Sequence, residues 1–115
     1  MLFDLDNHKF FICVEPVDMR CGADRLAQLV ITNLEEDPLS KSLFMFSGKR
    51  HKSVKFLFWD LNGFWLLQKK LYKGTFAWPK DKNEAKLKTS IDDVKRMLSG
   101  EDCWRKIPSL DGIEL

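Results

Sequence analysis

The stretch Leu43-Phe44-Met45-Phe46-Ser47-Gly48-Lys49-Arg50-His51-Lys52-Ser53-Val54-Lys55-Phe56-Leu57-Phe58-Trp59-Asp60-Leu61-Asn62-Gly63-Phe64-Trp65-Leu66-Leu67-Gln68-Lys69-Lys70-Leu71, carried on to Trp78-Pro79, decides the fold. It is apolar and aromatic, it is interrupted by turn residues, and its charges are almost all positive. Leu43–Phe46 reads as a strand, followed by a loop at Ser47–His51. In the next strand Val54, Phe56 and Phe58 share one face, while Lys55, Leu57 and Trp59 share the other. Asn62-Gly63 is the strongest turn signal, because a tight two-residue hairpin wants positive φ at both positions. Phe64–Leu71 then returns antiparallel. Lys73-Gly74 is a second turn, and Thr75–Trp78 reads as a short strand ended by Pro79. Strands this apolar must bury both faces, with the helices expected on one side. The lysines are driven to rims and turns.

On the N-terminal side, Lys9–Val14 is a short apolar strand stopped by Pro16. Asp18 is expected to cap a helix. Met19, Ala23, Leu26, Val30 and Leu34 recur at helical spacing, and the Asp37-Pro38 step ends the pattern. On the C-terminal side, Ala85–Lys88 is an edge-strand candidate. Ser90 with Asp93 resembles a capping box, and Ile91, Val94, Met97 and Leu98 form a second helical stripe with Gly100 as its stop. Trp104 is expected to fold back onto the core, and Ile107–Leu115 to be a loose tail. The reading is one α+β domain over residues 1–115: an antiparallel β meander packed by two main helices.

Net charge is only +2 over 115 residues, but it is distributed unevenly. Residues 1–40 carry three basic and eight acidic side chains, residues 41–88 carry twelve and three, and residues 89–115 carry four and six. The central excess creates a field that attracts polyanions or an acidic partner. It also fits a solvated strand face balanced by the acidic ends of the same chain. Three cysteines without a Cys-x-x-Cys pair suggest neither a disulfide framework nor a zinc site. The acidic N-terminus, Met1-Leu2-Phe3-Asp4-Leu5-Asp6, is unlike a signal peptide, and no run reaches membrane-span length. A cytoplasmic location is expected.

An ordered set of short motifs resembles one known family. These are Val17-Asp18-Met19-Arg20-x-Gly22, Asp37-Pro38, Leu43-Phe44-x-Phe46, Lys55-x-Leu57-x-Trp59-Asp60-x-Asn62-Gly63, Lys69-Lys70-Leu71 and Gly74-x-Phe76-x-Trp78-Pro79. Together, from about Val14 to Trp104, they are similar to the TnpB-type accessory protein of insertion-sequence-66 elements. The resemblance implies a small bacterial protein encoded beside a transposase and involved in transposition. Cys21 stands where such proteins usually carry a basic residue, and lysine replaces arginine at most basic positions.

Candidate chemistry is sparse. A metal-dependent nuclease needs converging carboxylates. Asp4 and Asp6 lie near the terminus, Asp18 reads as a cap and Asp60 as a hairpin residue. His8 and His51 are isolated and read as surface histidines. No catalytic residue, metal or cofactor is therefore expected. Clustered cations interleaved with aromatics point to a nucleic-acid surface, since phosphate contacts need positive groups and no base readout. Its expected residues are Arg20, Lys49, Arg50, Lys52, Lys55, Lys69, Lys70 and Lys73, with Trp78 as a base-stacking candidate. Trp59 and Trp65 are expected in the core. The expected function is a non-catalytic transposition accessory factor that binds DNA. The alternative is a protein-interaction module docking the transposase or another protein of the same element.

Overall fold

A computed structural model describes residues 8–80 and 83–104. The tail at Ile107–Leu115, and Asp4 and Asp6, lie outside those residues. Five strands and two helices follow one another as β1 (Lys9–Cys13), α1 (Ala23–Thr32), β2 (Ser42–Ser47), β3 (Ser53–Asp60), β4 (Gly63–Lys70), β5 (Lys86–Thr89) and α2 (Ile91–Leu98). The sheet order is β4-β3-β2-β1-β5. The expected meander is β2-β3-β4, antiparallel throughout. It does not extend to β1, which joins β2 in parallel through the α1 crossover. β5 closes the far edge antiparallel to β1.

The helices cover opposite faces, not one. A buried layer of Phe11, Leu26, Val30, Leu34, Phe44, Phe46 and Leu57 joins α1 to one face. A second layer of Phe10, Ile12, Met45, Val54, Phe58, Val94 and Met97 joins α2 to the other. Sequence alternation dictates this split: Phe10 and Ile12 face α2, whereas Phe11 faces α1. A sheet apolar on both sides needs two covers, and the described residues supply one helix for each. Among the described residues no helix is long and apolar enough to cross a membrane.

Local signals succeed where side chains satisfy the backbone. Ser90 Oγ accepts the Asp93 N–H at 3.2 Å and caps α2. Gly100, at φ +100°, follows the Ser99 C-cap. The Trp104 indole N–H donates to the Ala77 carbonyl at 2.9 Å, and the ring packs on the core.

Three further expectations change. Asp18 caps nothing: α1 starts four residues later than a cap at Asp18 would require, behind Gly22, whose N-cap position has no side-chain bond. Thr75–Trp78 forms no strand; it lies along the β2–β3 loop through a single Phe76 N–H to His51 carbonyl bond of 2.7 Å. The hairpin turn is Leu61-Asn62, not Asn62-Gly63, because Asp60 pairs with Gly63. Leu61 takes φ +56°, while Gly63 opens β4. A turn at Asn62-Gly63 would slide the ladder by two residues and set Lys69 opposite Phe56. The observed register sets Phe56 against Leu67, Phe58 against Trp65, and Trp59 edge-to-face on Phe64 at 5.0 Å. Those cross-strand pairs outweigh the local turn preference.

Candidate nucleic-acid interface

The basic loop Gly48–Lys52 joins β2 to β3. It reverses through a His51 N–H to Gly48 carbonyl bond of 3.1 Å, with His51 at φ +51°. The His51 ring, expected at the surface, is half-buried and stacks on Trp78 at 5.9 Å with planes 14° apart. Burial, with the Lys80 charge adding to it, pushes the imidazole pKa below its ordinary value. The loop therefore exposes Lys49, Arg50 and Lys52 around a histidine that favours the neutral form. Beneath it, Ser47 Oγ donates to the Ser53 carbonyl at 2.7 Å and ties the two strand ends together.

A second segment, Val17–Cys21, forms the adjoining wall. The Val17 N–H donates to the Ser47 carbonyl at 2.9 Å. Gly48 permits the close approach, since a Cβ there would lie 2.9 Å from Met19 Cγ. Lys55 fixes the wall from below. Its ammonium donates to the Met19 and Cys21 carbonyls, both at 2.7 Å, and the residue is 8% exposed. Between loop and wall lies a cleft of about 300 Å³ lined by Val17, Met19 and Gly48–Ser53.

Above the wall, Asp18 and Arg20 form an exposed fork. The carboxylate accepts the Arg20 backbone N–H at 2.9 Å, Nε at 3.0 Å and Nη2 at 2.7 Å. These bonds draw the Asp18 carboxyl down to about 2. This local ring is what the aspartate does in place of helix capping.

The expected site residues thus separate. Lys49, Arg50 and Lys52 sit on the β2–β3 loop, and the ladder brings the end of β4 beside them. Lys70 pairs with Ser53, the Leu71 N–H donates to the Lys52 carbonyl at 2.8 Å, and Lys73 follows in the next turn. None of these five cations is paired with a carboxylate among the described residues. Lys69 is exposed too, but its ammonium donates to the Leu98 carbonyl at the end of α2, where a cation suits the helix dipole. Arg20 is exposed and already forked to Asp18.

Two expected contacts are unavailable. Lys55 is buried on carbonyls, so it supports the site from within. Trp78 is 4% exposed, its indole N–H donating to the Cys13 carbonyl at 3.0 Å; it is a core residue carrying His51, not a stacking platform. Trp65, expected in the core, is instead 42% exposed. Sequence reasoning missed His51 as the loop's anchor and Val17–Cys21 as its wall. A histidine inside a basic run was the only available signal. Part of the positive charge is also cancelled elsewhere, since Lys86 pairs with Glu36 at 2.6 Å. Among the described residues no group of three or more His, Cys, Asp or Glu is arranged to hold a metal ion.

The chain is 35% identical over 105 residues to the uncharacterized protein y4hO of Sinorhizobium fredii, covering 91% of this chain and 90% of that one. It is 31% identical over 99 residues to the uncharacterized protein y4jC of the same organism, covering 86% and 83%. No solved structure matches it. The profile of the family described as IS66 Orf2 like protein matches residues 8–107, which include all of the described residues. The chain belongs to the IS66 Orf2-like family of transposition accessory proteins.

Proposed function

We propose that this protein is a non-catalytic accessory factor that binds DNA through the basic end of its sheet. The observation that carries the reading is the gathering of Lys49, Arg50, Lys52, Lys70 and Lys73 at one end, none of them paired with a carboxylate among the described residues. Such a surface suits the phosphate backbone, where affinity comes from charge and counterion release rather than base contacts. The absence of a stacking tryptophan at Trp78 favours duplex backbone contact over base stacking. His51, stacked on Trp78 and favouring the neutral form, anchors the loop without adding to its self-repulsion.

Salt-dependent DNA binding tests this. With about four phosphates contacted, log K falls against log salt with a slope near −4. Reversing Lys49, Arg50 and Lys52 to glutamate weakens binding and flattens the slope while the fold is retained. Unchanged affinity in that triple variant refutes this end of the sheet as the DNA contact, and a parent protein that does not bind DNA turns attention to an acidic protein partner such as the transposase. Pure protein incubated with supercoiled plasmid and magnesium or manganese leaves the plasmid uncut. Nicking that is lost in Asp18→Asn and Asp60→Asn would refute the non-catalytic reading.

A further inference from the structure

The two edges of the sheet are built differently. β5 is four residues, Lys-Leu-Lys-Thr, short and lysine-studded in the way exposed edges are protected. β4 is eight residues, Gly63-Phe64-Trp65-Leu66-Leu67-Gln68-Lys69-Lys70, with an apolar centre, no proline and no bulge in its ladder. Trp65 and Leu67, on the α2 face, are 42% and 40% exposed. Beside Leu67 opens an apolar cleft of about 300 Å³ between the sheet and α2, lined by Phe56, Phe58, Leu67, Ile91 and Leu98 among others.

We propose that two copies of this chain pair through β4, antiparallel about a two-fold axis at Leu66, to make one continuous sheet. The ladder geometry picks the register. Asp60 and Gly63 flank the turn, and the Leu71 N–H bonds to the Lys52 carbonyl, so odd-numbered residues of β4 bond to β3. The N–H and C=O groups of Phe64, Leu66 and Gln68 therefore point outward. Centring the axis on Leu66 sets Leu66 against Leu66 of the other copy and Phe64 against its Gln68. Every pair so formed joins two outward-facing residues. The same register sets Trp65, whose indole N–H donates to its own Asp60 at 2.9 Å, across from the second copy's Leu67, on the face where the cleft opens, so the exposed apolar side chains of the two copies meet there. Charge favours this direction. Antiparallel pairing lays the Lys69–Lys73 end of one strand against the Asp60 end of the other, whereas parallel pairing would set lysines against lysines. A second copy is thus complementary in backbone, apolar side chains and charge. The interface leaves the Gly48–Lys52 loop clear but shares the Lys70–Lys73 end of β4 with the basic surface, and the proposal does not depend on DNA binding.

Sedimentation of the full chain across a concentration series tests it. The expected species has twice the 13.5 kDa chain mass. Leu67→Lys removes the apolar pair, and Gln68→Pro removes an outward donor, which an edge strand tolerates. Each variant is expected to sediment as a monomer with its circular dichroism spectrum retained. Amide exchange on the unmodified protein gives a reading free of any folding defect: Phe64, Leu66 and Gln68 are protected in the dimer and exchange as an open strand in a monomer. A monomeric parent, unprotected amides at those positions, or a folded variant that remains dimeric overturns the proposal.

Discussion

Replacing Leu61 with asparagine or glycine tests the hairpin most directly. Leu61 holds φ +56° at the first position of a two-residue turn and is 89% exposed. A left-handed conformation costs a side-chain-bearing residue about 1–2 kcal/mol. Little burial offsets that cost. Glycine removes the strain but returns about 0.5–1 kcal/mol through its looser unfolded chain. Asparagine keeps a side chain and tolerates the region through local hydrogen bonding. Either variant is therefore expected to gain about 0.5–1 kcal/mol, raising the melting temperature by roughly 2–8 °C for a domain of this size. The control is Gly63→Val. If Gly63 occupied the left-handed turn position, valine would cost on the order of 1–2 kcal/mol. In the observed ladder Gly63 is strand, and a Cβ there meets nothing within 4 Å, so valine is expected to be neutral or mildly stabilising. Parallel urea and thermal melts of the three proteins decide the matter. A destabilised Gly63→Val together with an unimproved Leu61→Asn would show that the turn lies at Asn62-Gly63 and that the ladder is misplaced.

Three further outcomes follow from the site. Lys55→Met leaves the Met19 and Cys21 carbonyls without their ammonium; about 1–3 kcal/mol of stability is lost, and Met19–Gly22 amides exchange faster than the rest of the sheet. The Asp18 carboxyl titrates near 2, below its ordinary 3.8, because Arg20 bonds to it. The folded state thus favours the ionised form, and the resulting stabilisation is present above 3.8 and lost as pH falls toward 2. A carbon-detected NMR titration should show that midpoint, and Arg20→Gln should return it to the ordinary carboxylate range. Burial, with Glu15 adding to it, lifts the Cys13 thiol to about 11, so Cys13 resists thiol reagents at pH 8 in native protein and reacts once denatured; rapid native labelling would place it outside the core.

What the sequence disclosed and what it withheld divide along the range of the interactions. The alternation in Val54–Trp59 and the stripe from Leu26 to Leu34 are set by burial of neighbouring residues, and both faces of β3 came out as read. The Ser90 cap and the Gly100 stop are one-turn effects and were equally legible. Sheet order was not. Nothing near Lys9–Cys13 records that β1 runs beside β2 in parallel, because an apolar strand reads the same whichever neighbour it has. Lys55 illustrates the limit at the site. Within the strand it looks like one more surface cation, and only the folded path of Val17–Cys21 supplies the carbonyls that bury it. Asp18 was misread for a related reason: its partner is a side chain two residues on, which competes with any helix behind it. Trp78 could not be assigned from sequence, since an indole over a pocket and an indole in a core use the same residue.

The placing of β1 between β2 and β5 also has a kinetic meaning. Phe10 pairs with Thr89 and Ile12 with Leu87, so among the described strands the first in sequence is completed by the last. The β2-β3-β4 hairpins need only local closure and can form early, but β1 keeps one open edge until β5 has been synthesised. That edge carries Phe10, Phe11 and Ile12. A chain terminated before Lys86 would present it permanently, as an invitation to aggregate. Completion of the sheet therefore waits on Lys86–Thr89, however early the β2-β3-β4 hairpins close.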